Sequence, residues 1–206
     1  FFEYESLIVE QFFAAKVLAQ LYKIQIPDDN DHVVKLIPLM FQLSQLPDRN
    51  YLIQMCDVFK IIFCSERGVD ILLKLYSHEF MQLLFSILER AELYQEKVAL
   101  YGLLSCCLII NSQSPPLHPL FFTEGSIITL MTAVDNDMNP YLTDAVAALY
   151  CMFDICQQNE QQFGTLVQYI QEYGLEIFDK LILSPIPEVS SNAILIQSMI
   201  ETVSGQ

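Results

Sequence analysis

The chain of 206 residues contains no tryptophan, 3 histidines, 6 glycines and only 10 basic residues against 25 acids, a formal net charge of -15. Each scarcity removes a class of function. A field this negative repels phosphate backbones and anionic lipid, so direct nucleic-acid binding is not expected. The glycines, at 68, 102, 125, 164, 174 and 205, never cluster into a loop that would cradle a phosphate. No HExxH, GxSxG or CxxC occurs, so the usual zinc half-sites and the strained nucleophile turn are missing. The longest apolar run, LYGLLSCCLII from Leu100 to Ile110, is half of the roughly 20 residues that cross a bilayer, so no membrane span is expected. The opening segment carries Glu3, Glu5 and Glu10 where a secretion signal needs a basic start and an uncharged run. Phe1-Phe2 at the start and Gly205-Gln206 just past an apolar helix pattern read as the ends of a segment of a longer protein.

The six cysteines, at 56, 64, 106, 107, 151 and 156, fall in apolar helical patterns and not at the loop spacings of a disulfide framework. Buried, reduced thiols are the expectation, and with them an intracellular setting, cytoplasmic or nuclear. His32 and His78 stand near helix starts and His118 lies between prolines, positions that suit capping or exposed roles. Glu92 and Glu96 share one face of a helix, where solvated charge is the default reading. Catalytic, cofactor-binding and metal-binding residues are therefore not expected, and the chain does not read as an enzyme.

Apolar residues make up 53% of the chain, recurring at steps of three and four with no stretch of period two, so the expected class is all-α. Turn-rich breaks divide the pattern into helices near 3–24, 31–45, 50–64, 68–76, 78–91, 93–111, 126–135, 140–157, 160–171, 174–183 and 187–203. Pro27 to Asp31, Pro47 to Asn50 and Asn139-Pro140 supply capping groups at helix starts. The longest break, from Ser112 to Gly125, holds Pro115, Pro116 and Pro119 and cannot continue a helix. Its Leu120-Phe121-Phe122 segment is expected to pack back on the helices or to touch a partner.

A pattern also recurs. FMQLLFSILERAELYQEKVALYGLLSCC from Phe80 lines up, shifted by 46 residues, with SIITLMTAVDNDMNPYLTDAVAALYCMF from Ser126, with Leu84 on Leu130, Ala99 on Ala145, Gly102 on Ala148 and Leu103 on Leu149. Further copies begin at Gly174, with Ala193 on the Ala145 position, and more weakly at Val33. Recurrence at such a period points to stacked helical units that serve as a binding surface. Charge is distributed unevenly along them: 14 acids accompany 9 bases up to Lys97, but from Val98 onward 11 acids face only Lys180. A basic partner is favoured.

The copy from Glu124 to Cys156 resembles an armadillo repeat: a glycine, an apolar helix, a polar turn with Asn139-Pro140, and a helix carrying Ala-x-x-Ala-Leu. The spacing also fits HEAT-like units. The resemblance implies a single armadillo-like domain over 1–206, a right-handed α-solenoid of about four units whose third helices line a concave groove. Groove-binding members use an asparagine ladder, with tryptophan in importin-alpha. Here Ser105, Cys151 and Met199 occupy the asparagine position, and Tyr101, Ala147 and Leu195 the tryptophan position. That ladder is missing, so a groove would work through apolar and acidic contacts or take a folded helix. Under this resemblance Tyr101, Ser105, Asp154 and Gln158 face the concave surface as partner-binding residues, although for Tyr101 a core position with a wet hydroxyl is the favoured reading. The expected function is a non-enzymatic scaffold for a helical or basic protein segment. Two alternatives stand beside it. One is a structural or self-associating segment, a homo-oligomer joined through Phe1, Phe2, Phe12 and Phe13. The other is a regulatory helical domain that binds a small GTPase.

Overall fold

The computed structural model describes residues 2–24, 31–111, 124–135, 141–157 and 159–204, and among these every regular element is an α-helix. In chain order they are α1 (Phe2–Ile24), α2 (Asp31–Val34), α3 (Leu36–Leu43), α4 (Asn50–Phe63), α5 (Gly68–Tyr76), α6 (Phe80–Arg90), α7 (Tyr94–Asn111), α8 (Glu124–Asp135), α9 (Tyr141–Cys156), α10 (Glu160–Tyr173), α11 (Glu176–Ile182) and α12 (Pro187–Ser204). The expected boundaries agree with these closely, apart from the segment expected as 31–45, which is broken at Lys35. Pro38 explains the break: it has no N–H for the carbonyl of Val34, and its ring crowds that carbonyl, so the helix restarts one residue on. The Pro27–Asn30 cap and most of the Ser112–Gly125 break lie outside the described residues.

The chain was expected to be one domain over 1–206, and its contacts gather into two compact units, Phe1–Ile110 and Asn111–Gln206. The boundary falls immediately before the proline-rich break, where the helical pattern stops. In the first unit α1 packs on α3 and α4, α4 on α3 and α5, and α6 on α3 and α5. Three phenylalanines fill its centre. Phe59 and Phe80 lie 4.9 Å apart, Phe63 meets Phe80 edge-on at 5.9 Å, and none is more than 2% exposed. Each buried ring contributes about 1.5–3 kcal/mol through burial alone. The corner between α5 and α6 turns through 80°, and Glu79 takes it in the left-handed region at φ 61.

In the second unit α9 packs on α8 and α12, α12 on α11, and α10 on α8 and α9. Asn159 caps α10, its Oδ1 accepting the Gln162 N–H at 3.1 Å, and Gly174 ends that helix at φ 133, a conformation that excludes other residues without strain. The recurring sequence positions coincide in burial: Leu84, Leu103, Leu130, Ala145, Ala148, Leu149 and Ala193 are all fully enclosed. The copies therefore correspond to helix pairs, α3–α4, α6–α7, α8–α9 and α11–α12. The small residues stand at buried positions of the second helix of a pair.

Two glycines make opposite demands. Gly68 starts α5 with its N–H on the Ser65 carbonyl at 2.9 Å, and a Cβ there would run into the backbone carbonyl of Phe63. Gly164, within α10, has open space around the same position. Gly68→Ala should lower stability by about 2–3 kcal/mol through backbone displacement, whereas Gly164→Ala should raise it by about 0.5–1 kcal/mol through helix entropy. Urea unfolding followed by circular dichroism checks both, and equal effects would refute the close approach at Gly68.

Candidate interaction surface

α7 is apolar around its whole circumference from Ala99 to Leu108, and a helix of that kind buries every face. Tyr101 is accordingly only 6% exposed and Ser105 only 2%. Neither belongs to an exposed surface in this structure, and the Ser105 hydroxyl has no hydrogen-bond partner among the described residues. The core reading of Tyr101 is the one that holds. Asp154, on α9, is exposed, and Gln158 lies outside the described residues. Of the candidates for self-association, Phe12 is core, meeting Tyr51 edge-on at 5.4 Å, and Phe13 is 55% exposed; Phe1 and the side chain of Phe2 lie outside the described set.

The second unit does carry an accessible face built from equivalent repeat positions. On α9, Ala147, Cys151 and Asp154 follow one another at helical spacing, the first two half-buried and the last exposed. On the adjacent α12, Leu195 is 43% exposed and Met199 half-buried. Gln157 at the end of α9 donates from Nε2 to Met199 Sδ at 3.1 Å, which holds the two lines of side chains beside one another. The result is a shallow apolar strip with a carboxylate on it. Burial first, and the neighbouring Asp154 charge second, push the Cys151 thiol up to about 11, so it stays neutral at physiological pH. Exposed acids elsewhere in the unit include Glu172, Glu176, Asp179, Glu188 and Glu201, with Lys180 the single base.

The first unit disposes of its charge differently. Glu96, expected to be solvated, is buried: Arg49 Nε donates to its Oε1 at 3.1 Å and the Leu93 N–H donates to its Oε2 at 3.2 Å. The second bond caps α7 at its N-terminus, since a glutamate in the first turn reaches back to the amide before the helix. Arg49 also bonds the Ser44 carbonyl. One carboxylate thus ties the ends of α3, α4 and α7, beside a cleft of about 230 Å³ also lined by Ile87 and Arg90. A wider cleft of about 760 Å³ lies between the ends of α1 and α4, with Lys23, Lys60 and exposed Cys64 on its walls. Lys60 pairs with Asp57 at 2.8 Å and Lys74 with Asp31, whose carboxyl the lysine holds below the ordinary carboxylate range. Four of the nine bases of this unit, Arg49, Lys60, Arg67 and Lys74, pair with its own acids.

Among the described residues no group of three or more histidine, cysteine or acidic side chains converges as a metal site, and no single helix is long and apolar enough to cross a membrane. No protein-family model matches the chain, and no curated protein matches it. A similar solved structure is the crystal structure of an engineered protein from the Northeast Structural Genomics Consortium, at TM-score 0.55 and 12% identity, covering 95% of this chain and 92% of that one. At that identity the likeness concerns the fold alone.

Removing either member of the buried pair leaves its partner stranded, and the carboxylate is the more costly one to strand because it is the more enclosed. Arg49→Ala should cost about 3 kcal/mol and Glu96→Gln, which keeps a hydrogen-bonding oxygen, about half as much. Equal unfolding midpoints for the two variants would contradict this. The thiols divide just as sharply. Burial pushes Cys56 and Cys156 up to about 12 and raises Cys107 well above the ordinary thiol value, while Cys64 is exposed. In the native protein at neutral pH an alkylating reagent should reach Cys64 first and the three buried thiols only after unfolding, as peptide mass spectrometry will show.

Proposed function

We propose that this chain is a non-enzymatic protein-binding scaffold, an armadillo-like solenoid segment that holds a basic, amphipathic helix of a partner protein. The carrying observation is the α9–α12 face, where an apolar strip formed by Ala147, Cys151, Leu195 and Met199 bears the exposed carboxylate of Asp154 in a unit with one lysine against 11 acids. A helix with apolar residues on one side and lysine or arginine on the other complements both features. The 46-residue recurrence and the matching burial of its positions support the armadillo-like reading. The strip lacks the asparagine and tryptophan ladder, so it suits a folded helix better than an extended peptide. Among the described residues the one enclosed carboxylate of the first unit, Glu96, is occupied by Arg49 and the Leu93 amide, a structural role that supports binding over catalysis. Six cysteines set in apolar helical segments, and not at the loop spacings of a disulfide framework, support an intracellular setting, cytoplasmic or nuclear. Binding of a small GTPase has no specific observation in its favour.

A labelled lysine-rich amphipathic helical peptide provides the probe. Fluorescence anisotropy should show binding at low ionic strength and progressive loss on adding salt, since screening shortens the reach of the acidic field to about 10 Å at 0.1 M. Asp154→Lys should weaken it by roughly threefold to tenfold, in keeping with one partly exposed charge contact. A complex whose affinity and association rate ignore both salt and Asp154 would sink the proposal.

A further inference from the structure

The chain has 7 methionines, and the fold sorts them sharply. Met40, Met55, Met81, Met131 and Met152 are 0% exposed, where a flexible thioether fills gaps in the core. Met138 lies outside the described residues. Met199, on α12, is half-buried and is the one accessible thioether among the described residues. Its sulfur stands at the surface, because the hydrogen bond it accepts at 3.1 Å comes from Nε2 of Gln157, an exposed residue. A thioether sulfur has two lone pairs and accepts weakly, so one pair stays free.

We propose that Met199 is a site of reversible oxidation by a hydroperoxide, and that its sulfoxide lowers the affinity of the α9–α12 strip for the apolar side of a partner helix. The control of binding rests on the scaffold reading of that strip; the oxidation site does not. In the step itself the free lone pair of the sulfur attacks the terminal peroxide oxygen. The O–O bond breaks and an S–O bond forms, so the sulfur loses two electrons and the peroxide gains them. The proton of the transferred oxygen passes to the leaving oxygen, giving sulfoxide and water, or an alcohol from an alkyl hydroperoxide. Gln157 favours the product, since its amide already donates at this point and a sulfoxide oxygen is a stronger acceptor than a thioether. Cys151, the other sulfur of the strip, competes poorly. Burial and Asp154 keep it protonated at neutral pH, and peroxide attacks the thiolate, whereas a thioether has no proton to lose. Of the four apolar side chains on the strip, Ala147, Cys151, Leu195 and Met199, oxidation thus turns the most flexible one polar.

Hydrogen peroxide on the native chain at neutral pH, followed by thiol reduction, which reverses cysteine oxidation and spares sulfoxides, provides the test. Peptide mass spectrometry should show Met199 oxidising at least about tenfold faster than Met40, Met55, Met81, Met131 and Met152, which react only when the fold opens. The oxidised chain should bind the lysine-rich helical peptide roughly threefold to tenfold more weakly, and methionine sulfoxide reductases should restore the affinity. Met199→Leu should show one affinity before and after peroxide. Equal oxidation of all these methionines overturns the site. Peptide binding that survives oxidation of Met199, or that peroxide still weakens in Met199→Leu, overturns the control while leaving the scaffold reading in place. An untreated chain that ignores the peptide overturns the scaffold reading and the control with it, while selective oxidation of Met199 still supports the site.

Discussion

Everything in this fold depends on short helices sharing one buried side. α2, α3, α5 and α11 have 4, 8, 9 and 7 residues, well below the length at which a helix holds in water by itself. None exists except by covering an apolar stripe of its neighbour. The requirement explains where the small residues stand: Ala145, Ala148 and Ala193 are fully enclosed on second helices of their pairs, where a larger side chain would hold two backbones apart. It also explains why the polar contacts that do occur inside, such as Arg49 with Glu96, are placed at helix ends. There, unpaired backbone groups need partners, and a carboxylate can satisfy an amide and a guanidinium together.

Much of this was legible in the sequence because its punctuation is physical. Gly68, Asp48 and Asn159 mark helix starts, and the intervening steps of three and four admit no strand. The break between α2 and α3 was also written there, in Pro38, but apolar periodicity runs through it and hides it. Glu96 was misread for a different reason. Its spacing from Glu92 describes a helix face, while its burial is created by Arg49, 47 positions earlier, and no local pattern carries that information. Tyr101 and Ser105 were placed on a surface by repeat equivalence alone; the nearly unbroken apolar run from Leu100 to Ile110 already indicated a helix enclosed on most of its circumference, with Ile109 as its exposed exception.

In the second unit the equivalent positions are accessible: Cys151 and Met199 are half-buried and Asp154 is exposed. The contrast between the units is one of composition. α7 is apolar on every side, whereas α9 and α12 alternate enclosed residues with Asp154, Glu188 and Glu201. Charge follows the same division: the first unit pairs four of its nine bases with its own acids, and the second has one base to offer 11 acids. The candidate surface comes from combining a repeat register, which says which positions correspond, with burial, which says which of them are accessible.

The enclosed thiols of Cys56, Cys107 and Cys156 carry a consequence beyond packing. Folded, they are inert methyl-sized fillers of the core. Once the fold opens, three previously shielded sulfurs reach solvent together, free to join with exposed Cys64 or with another molecule's cysteines. Under oxidising conditions each opening exposes these sulfurs to covalent crosslinking, and once a crosslink blocks refolding the lifetime of the protein is set by how often it opens and how fast the thiols react.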